Sequence, residues 1–355
     1  MRIKLAILDR DKNYLDKIVD VFGKKYADKF EIYSFTEPEL AIKTLSDMRV
    51  DVLLASNVFE LNVKNLPKRC AFAYFVESPD IDMINDQRTI CKFQKLDLIY
   101  KQILSLYSET AGEITGMKID NGNCITIAFA APAGGVGAST MAAACALHFA
   151  AKGKRTLYLN IEKFGSSEMF FSGEGQFGMS DIIFALKSKR ANLSMKLESC
   201  VKQDNRGVYF YSQSKLALDM MELGTKEILL LISELKLTGS YDYIILDTDF
   251  ALDEETFNIY RKSHYLLLVG DGSNISNYKI QRAYNSLLTI EQGDESGYLS
   301  KRTALIYNKF SSKTSRMIEN IDLRNIGGAP KYENASIQQI LYQISTSNVF
   351  DVLGS

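Results

Sequence analysis

The sequence has few of the residues on which metal sites and catalytic triads usually depend. Its 355 residues include no Trp and two His, His148 and His264, which leaves little room for His-based metal or triad chemistry. The five Cys show neither a CxxC motif nor another metal-binding spacing, and an odd number of scattered Cys is typical of reduced thiols in a cytosolic protein. This composition disfavours most hydrolase mechanisms.

A charge bias and a long apolar run are also missing. Lys and Arg number 42 against 43 Asp and Glu, a net charge of −1, whereas nucleic-acid-binding proteins usually carry a basic excess. No apolar run approaches the roughly 18 to 20 residues that span a bilayer, and the N-terminal MRIKLAILDRD reaches acidic residues too early for a secretory signal. We therefore expect a cytoplasmic protein with no nucleic-acid partner and no direct membrane insertion.

The chain is long enough for two domains, and short apolar strands alternate with helical patterns in two successive blocks. The strand candidates are 4–8, 31–35, 52–55, 71–76 and 89–91 in the first block, and 125–130, 156–161, 208–211, 243–246, 265–269 and 304–307 in the second. Strict alternation predicts an α/β fold with two doubly wound parallel-sheet domains. We expect a first domain over 1–112, a linker over 113–123 and a second domain over 124–355.

A glycine-rich loop is the most informative segment. The apolar strand ITIAFA runs into PAGGVGAST (132–140), and a helix of small residues follows. Glycines let successive backbone N–H groups point inward, and a helix N-terminus favours anions, so this architecture is typical of phosphate-binding sites. The pattern G-x-x-x-x-G-K-[ST] nevertheless fails twice, at Pro132 and at Ala138. On the loop alone, a tight turn that packs small residues stays open as an alternative.

Polar residues end three of the later strands. The strand after the small-residue helix ends in Asn160-Ile161-Glu162, and YDYIILD ends in Asp247, a carboxylate suited to the water shell of Mg²⁺. The strand ALIYNKF ends in Asn308-Lys309, and a Pro-containing segment, GGAPKYENASI, follows it.

The order of these motifs resembles the MinD/ParA deviant-Walker ATPases. Together with a receiver-like N-terminal domain, it resembles the CpaE/TadZ proteins of Tad-type (Flp) pilus assembly, over nearly the whole chain. The resemblance implies a receiver-like (flavodoxin-like) domain followed by a P-loop NTPase (MinD/ParA-like) domain. It also implies ATP and Mg²⁺ as cofactors and a homodimer as the assembly.

The resemblance assigns roles to the matching positions. Ser139 and Asp247 are the expected Mg²⁺ ligands. Asn160 and Glu162 stand where the family usually has two Asp, so they are the catalytic candidates, and Glu162 keeps the carboxylate that positions the attacking water. The nucleotide-binding candidates are Gly134, Gly135, Val136, Gly137, Ala138, Ser139, Thr140, Asn308, Pro330 and Tyr332.

Two of these candidates are expected to contact the base. The family counterpart of Asn308 reads the adenine edge. The segment from Pro330 to Tyr332 matches a loop that packs on the base.

The loop departs from the family at both lysine positions, which hold Ala133 and Ala138. In the family these lysines neutralise the transferring γ-phosphoryl group, and the loss of such a contact costs on the order of 10² to 10⁵ in rate. Binding suffers less, because the backbone loop and Mg²⁺ remain. We therefore expect ATP binding with slow or absent hydrolysis. Lys163 is either a replacement cation or a solvated side chain, and we favour the second interpretation.

The N-terminal block resembles response-regulator receivers. LAILDRD places Asp9 and Asp11 at the end of the first strand, where receivers hold Mg²⁺, and Lys92 follows the fifth strand. The position of the phosphorylated Asp is Ser56, whose hydroxyl does not form an acyl phosphate. We therefore expect an interaction module without the phosphoacceptor, with Asp9 and Asp11 as solvated strand-end carboxylates.

These observations favour an ATP-binding, dimer-forming localisation or assembly factor for a Tad-type pilus secretion system. Its partners would be pilus or secretion proteins, which would recruit it to a cell pole or to the inner membrane face. One alternative is an active ParA/MinD-like ATPase that cycles between dimer and monomer. Another is an atypical response regulator.

Overall fold

The computed structural model describes residues 2–110, 124–188, 192–292 and 298–354. The chain divides into two units: Met1–Gly116 with Ser188–Cys200 form one, and Met117–Lys187 with Val201–Ser355 form the other. The expected linker, 113–123, lies outside the described residues. Within the described ranges, every helix is too short or too polar to cross a membrane.

Both units are built from alternating strands and helices. The strands are β1 (Ile3–Leu8), β2 (Phe30–Phe35), β3 (Val52–Ser56), β4 (Ala71–Val76), β5 (Met83–Ile84), β6 (Gln87–Cys91), β7 (Ile125–Ala130), β8 (Thr156–Asn160), β9 (Lys202–Gln203), β10 (Tyr209–Phe210), β11 (Tyr243–Asp247), β12 (Tyr265–Gly270), β13 (Thr303–Phe310) and β14 (Arg324–Pro330). The helices are α1 (Lys12–Lys25), α2 (Pro38–Asp47), α3 (Leu96–Thr110), α4 (Ala138–Ala151), α5 (Ser167–Phe170), α6 (Met179–Ser188), α7 (Leu193–Cys200), α8 (Ala217–Met221), α9 (Thr225–Leu237), α10 (Glu254–Arg261), α11 (Asn274–Glu291) and α12 (Ile337–Ser345). Short 3-10 segments cover Val63–Asn65, Ser300–Arg302 and Asn348–Leu353.

The first unit contains the sheet β2-β1-β3-β4-β6-β5. Its strands run parallel except for β5, which pairs antiparallel with β6. Helix α1 begins where the Asp11 side chain accepts a hydrogen bond from the Tyr14 amide, and it buries Leu15, Ile18 and Phe22 against the sheet. The predicted parallel sheet is therefore confirmed, and only the two-residue β5 had no counterpart among the predicted strands.

The second unit contains the sheet β14-β13-β12-β7-β11-β8-β10-β9, in which β9 pairs antiparallel with β10 and the other pairs are parallel. Strand order reverses beside β7, which lies between β11 and β12. In open α/β sheets the carboxyl edge at such a switch point is where ligands bind. The edge strand β14 was not predicted, because its sequence RNIGGAP has a single β-branched residue, Ile326, and contains two Gly and one Pro, which are rare in strands.

Helix α4 forms the centre of the second unit's core. It packs against β7, β8, β11 and α12, and its residues from Met141 to Phe149 are all buried. Small side chains let the helix lie close to the sheet, which explains the run of Ala in this segment. Cys145 is fully buried here, and burial raises the pKa of its thiol well above its usual value. The five Cys are all buried and are not joined by disulfides in the described part of the chain, as expected for reduced core thiols.

The apolar spacing of the C-terminal segment is explained by core packing. Leu341, Ile344, Phe350 and Leu353 are buried in the same cluster as α4. His148 on α4 holds this segment through the Ser345 carbonyl oxygen (2.8 Å) and the Asp351 carboxylate (2.9 Å). His148 is thus a packed helix position, as its Ala- and Leu-rich surroundings predict.

Helix α7 groups with the first unit, where it packs against α3. Lys196 on α7 is 2% exposed, and its ammonium group donates to Ser105 Oγ (2.8 Å) and pairs with the Glu109 carboxylate (3.5 Å). Two residues further along, Glu198 accepts a hydrogen bond from the Tyr100 hydroxyl (2.6 Å). A helix from the second block of the sequence therefore completes the packing of α3.

We expect Lys196→Ala to destabilise the α3–α7 pair by about 2 kcal/mol, because it removes a buried side chain and leaves the buried Ser105 hydroxyl without its Lys196 donor. Native-state hydrogen exchange of the α3 amides measures this as a lower free energy of opening.

Lys196→Met is the informative companion variant, since it keeps the apolar stem of the side chain and should cost less than Lys196→Ala. Lys68→Ala, at an exposed lysine of the same unit, is the control. Equal exchange rates in wild type and Lys196→Ala would contradict the role of the buried lysine.

Candidate nucleotide-binding site

The glycine loop connects the end of β7 to the start of α4. Gly137 caps α4 with a φ of 88°, and Gly135 has a φ of 77°. A Cβ atom at Gly137 would lie 2.4 Å from Asn308 Nδ2, so this position requires glycine for both its backbone angle and its close approach. Ala133 and Val136 are buried and anchor the loop on the core.

One side of the loop is open. A Cβ atom built at Gly134 or Gly135 meets nothing within 4 Å, although Ala133 and Val136 beside them are packed. The glycines at 134 and 135 therefore face free space next to the first turn of α4, which is the arrangement that an anion needs to approach backbone N–H groups. This openness favours a phosphate site over a turn that merely packs small residues.

Asn308 and Lys309 hold the loop from the end of β13. The buried Asn308 amide donates to the Val136 carbonyl oxygen (2.9 Å), and Lys309 Nζ donates to the Gly135 carbonyl oxygen (2.8 Å). The expected role of Asn308 at the adenine edge stays a prediction. Lys309 was not among the site residues predicted from the sequence.

Asp247 is fully buried at the end of β11. Its Oδ2 atom accepts hydrogen bonds from the Tyr158 hydroxyl (2.6 Å) and from Asn160 Nδ2 (2.8 Å). In the described part of the chain, Oδ1 has no hydrogen-bond partner. Tyr158 was missed from sequence, although it lies two residues before Asn160 on β8 and therefore shares a face of the sheet with it.

Glu162 lies between this carboxylate and the loop. Its Oε2 atom accepts hydrogen bonds from Ser139 Oγ (3.2 Å) and Asn160 Nδ2 (3.1 Å), and its backbone amide donates to Asn160 Oδ1 (3.0 Å). The Asn160 amide thus bridges two carboxylates. An Asp at this position would instead add a third negative charge. Lys163, the next residue, has an exposed side chain, as expected for a solvated lysine.

Both carboxyl groups have raised pKa values. Burial, and then the charge of Glu162, raises the pKa of Asp247 from 3.8 to about 8, against the lowering effect of its hydrogen-bond donors. Burial also raises the pKa of Glu162. A divalent cation beside them would favour the ionised forms of both groups.

The residues at this site fit Mg²⁺. They supply the Ser139 hydroxyl and a buried Asp247 oxygen that has no hydrogen-bond partner among the described residues, and both are hard oxygen donors. In the described ranges, no three His, Cys, Asp or Glu residues are grouped as a metal site. Mg²⁺ commonly binds through one or two protein oxygens together with substrate phosphates and water, so a two-residue donor set suffices.

Pro330 and Tyr332 lie next to the end of β13. Pro330 pairs with Phe310 across β13 and β14, and the Lys331 amide donates to the Phe310 carbonyl oxygen (3.1 Å). Tyr332 is half-buried against the core of the second unit. Their expected role in packing on the base stays a prediction.

The first unit has a second cluster of charged residues, at the carboxyl edge of its sheet. Lys92 Nζ forms a buried salt bridge with Asp9 (2.5 Å), and Ser56 is buried beside them at the end of β3. The expectation that Asp9 is solvated is wrong, because the Lys92 ammonium neutralises it inside the protein. Asp11 is exposed and caps α1.

Comparisons with known proteins agree with this architecture. A family model described as TadZ-like, receiver domain, matches residues 1–108, and one described as AAA domain matches residues 124–296. A solved ParA family ATPase from Chlorobium tepidum TLS is 22% identical over 65% of this chain and 96% of its own, with a TM-score of 0.50, and shows the fold. A chain of the MinC:MinD cell division protein complex from Aquifex aeolicus is 15% identical over the same shares, with a TM-score of 0.49. No curated protein matches the chain.

The raised pKa of Asp247 predicts a pH-dependent stability. The unfolded chain loses the proton near pH 4 and the folded protein near pH 8, so the free energy of unfolding falls as the pH rises between these values. We expect Asp247→Asn to remove this loss, which for one group amounts to at most about 1.4 kcal/mol per pH unit. The Tm difference between the variant and wild type, measured without nucleotide, should grow from pH 5 to pH 8.

Asp322→Asn, at an exposed aspartate of the same unit, controls for the general effect of removing one charge. A Tm difference that does not change with pH would show that Asp247 is ionised throughout this range.

Proposed function

We propose that the protein is an ATP-binding, dimer-forming assembly factor for a Tad-type pilus system. The proposal is supported by the order of its domains, a TadZ-like receiver domain followed by a MinD/ParA-like AAA domain, which is the architecture of the CpaE/TadZ proteins. The protein binds Mg-ATP in the second unit and hydrolyses it slowly or not at all. Its partners are proteins of the pilus secretion machinery.

The proposed binding of Mg-ATP is supported mainly by one observation, that an open glycine loop lies next to a buried carboxylate. The loop is open at Gly134 and Gly135, so phosphates would have room there to approach its backbone N–H groups. Asp247 and Ser139 offer oxygen atoms to Mg²⁺, and the Asp247 Oδ1 atom lacks a hydrogen-bond partner among the described residues. These two residues would hold Mg²⁺, which would supply positive charge next to the phosphates.

The composition of the loop supports slow hydrolysis. The segment 132–140 contains no Lys or Arg, and Glu162 and Asp247 add negative charge next to it. Phosphoryl transfer depends on cations that neutralise the charge developing on the γ-phosphoryl group. The binding of ATP itself depends less on such cations, because the backbone of the loop and the metal would still contact the phosphates.

The surface beside the loop supports a homodimer. An open cavity of about 800 Å³ borders Pro132, and its lining includes the apolar Phe250, Leu252, Ile275 and Tyr278 together with Lys279 and Arg282. Ile275 is 71% exposed and Tyr278 is 60% exposed. Exposed apolar residues grouped next to a ligand site are typical of protein interfaces, so a second copy would cover them when the dimer forms around the nucleotide.

The first unit serves in this proposal as a docking module. Its phosphoacceptor position is the buried Ser56, and the Asp9–Lys92 pair neutralises the charges that a receiver uses for Mg²⁺ and phosphate. A switch by phosphorylation is therefore not part of the function. Partner proteins bound by this unit would recruit the chain to a cell pole or to the inner membrane face.

Glu162 favours a second candidate function, an active ATPase that cycles between dimer and monomer. Its carboxylate lies 3.2 Å from Ser139 Oγ, at the edge of the loop, where a general base or water-positioning group would act. Its raised pKa brings it closer to neutral pH, which suits a general base.

We expect the full-length protein to bind ATP in a Mg²⁺-dependent manner, measured by isothermal titration calorimetry with and without chelator. Ser139→Ala and Asp247→Ala should each weaken Mg-ATP binding by about 10- to 100-fold, because each removes one protein oxygen from the metal.

Ser240→Ala and Asp322→Ala, at exposed residues of the same unit, are the matched controls and should bind as wild type does. Absence of Mg²⁺-dependent binding by the wild-type protein would refute the nucleotide part of the proposal.

Single-turnover cleavage of ATP separates the two candidate functions. We expect little cleavage by the wild type, and an increase of at least about 100-fold in Ala138→Lys, which restores a cation at the start of α4. The measurement is product formation with enzyme in excess over radiolabelled ATP.

Glu162→Gln is the control for the active site. Cleavage by the wild type that disappears in Glu162→Gln would favour the cycling ATPase over the slow or inactive binder.

A further inference from the structure

The proposed nucleotide site has an excess of negative charge. The polyphosphate chain of ATP carries several negative charges, and the loop 132–140 has no basic residue. Asp247 and Glu162, whose ionised forms a bound divalent cation would favour, also line the site. One Mg²⁺ ion supplies two positive charges. Tight binding of a triphosphate therefore calls for a cation from another element of the fold.

Lys309 is next to the loop. Its Nζ atom donates to the Gly135 carbonyl oxygen at 2.8 Å, and a Cβ atom built at Gly137 would lie 3.6 Å from its Cε atom. Its side chain is exposed, and in the described part of the chain it forms no salt bridge. An ammonium group has three N–H donors, so after the contact with Gly135 two remain for a ligand.

The backbone of β13 is shaped so that two consecutive side chains reach the same loop. In a regular strand, Asn308 and Lys309 would point to opposite faces of the sheet. Here the pairing with β14 shifts register between Tyr307 and Phe310, and Lys309 has a left-handed φ of 54°. Both side chains then contact the loop, Asn308 at Val136 and Lys309 at Gly135. Bulges of this kind commonly redirect a side chain next to a functional site.

We propose that Lys309 supplies the cation for the terminal phosphates of the bound nucleoside triphosphate, in place of a basic residue in the loop itself. The inference rests on the proposed function, because it needs a polyphosphate in the loop. Lys163 is one competing cation among the described residues. The contact that its segment makes is through the backbone, where its amide donates to Asp249 (3.0 Å).

The test is the affinity of the full-length protein for Mg-ATP and for Mg-ADP, measured by titration calorimetry. Lys309→Ala should weaken ATP binding by about 10- to 100-fold, as expected for one charge-assisted hydrogen bond, and weaken ADP binding by less. Lys309→Arg keeps the charge and should recover most of the ATP affinity. Lys313→Ala, at an exposed lysine four residues away, is the charge-matched control.

Lys309→Gly removes the ammonium group but keeps the left-handed backbone at position 309, since glycine adopts a positive φ without strain. It therefore distinguishes the loss of the charge from a change in backbone conformation. It should fold with a Tm no lower than that of Lys309→Ala and should lose the same ATP affinity. Wild-type affinity in Lys309→Ala and Lys309→Gly would overturn the inference, as would an equal loss of ATP and ADP affinity. A selective loss of ATP affinity in Lys163→Ala, with Lys309→Ala unchanged, would assign the role to Lys163. Failure of the wild type itself to bind ATP would instead refute the proposed function.

Discussion

The burial of the Asp247 carboxylate is the constraint on which the site of the second unit depends. The residue ends β11 between β7 and β8, so the sheet itself removes it from water. Ionising a carboxyl group there is costly unless hydrogen bonds and a cation compensate for the lost hydration. Tyr158 and Asn160 satisfy one oxygen atom, whereas the other has no hydrogen-bond partner in the described part of the chain, so this compensation is incomplete. Burial accordingly raises the pKa of Asp247. The fold therefore holds an acidic group in a state that Mg²⁺ binding would stabilise.

The two units treat strand-end carboxylates in opposite ways. In the first unit, the Lys92 ammonium group pairs with Asp9 inside the protein, so the charge is neutralised without any ligand. In the second unit, Asp247 and Glu162 share the Asn160 amide as a donor, but an amide carries no net charge. Because Lys92 neutralises the Asp9 carboxylate, the first site needs no bound cation. Among the residues that the structure describes, the carboxyl groups of the second site have no such internal partner, so a bound cation would stabilise their ionised forms. This contrast agrees with a docking role for one unit and a ligand-binding role for the other.

Residues at strand ends could be predicted from sequence, and residues brought in by side-chain packing could not. The apolar strands before Asn160, Asp247 and Asn308 indicate the carboxyl edge of a parallel sheet, so these positions follow from the alternation of strands and helices. The ion pair of Asp9 depends on Lys92, more than 80 positions away, and no local pattern reveals such a partner. The packing of α7 on α3 could not be predicted either, because α7 lies in the second block of the sequence and α3 in the first.

The packing of the loop explains why a phosphate-neutralising cation would come from β13. Ala133, where related ATPases are expected to have a lysine, is 5% exposed and lies in the core cluster with Val136. A lysine at this position would bury its stem, and its ammonium group would need a new path to solvent. The start of the loop is therefore part of the packed core. The bulge at the end of β13 is not constrained in this way, since Lys309 is exposed while Asn308 fixes the backbone against the loop. A charge on this strand can reach the glycines without disturbing the core on which the loop depends.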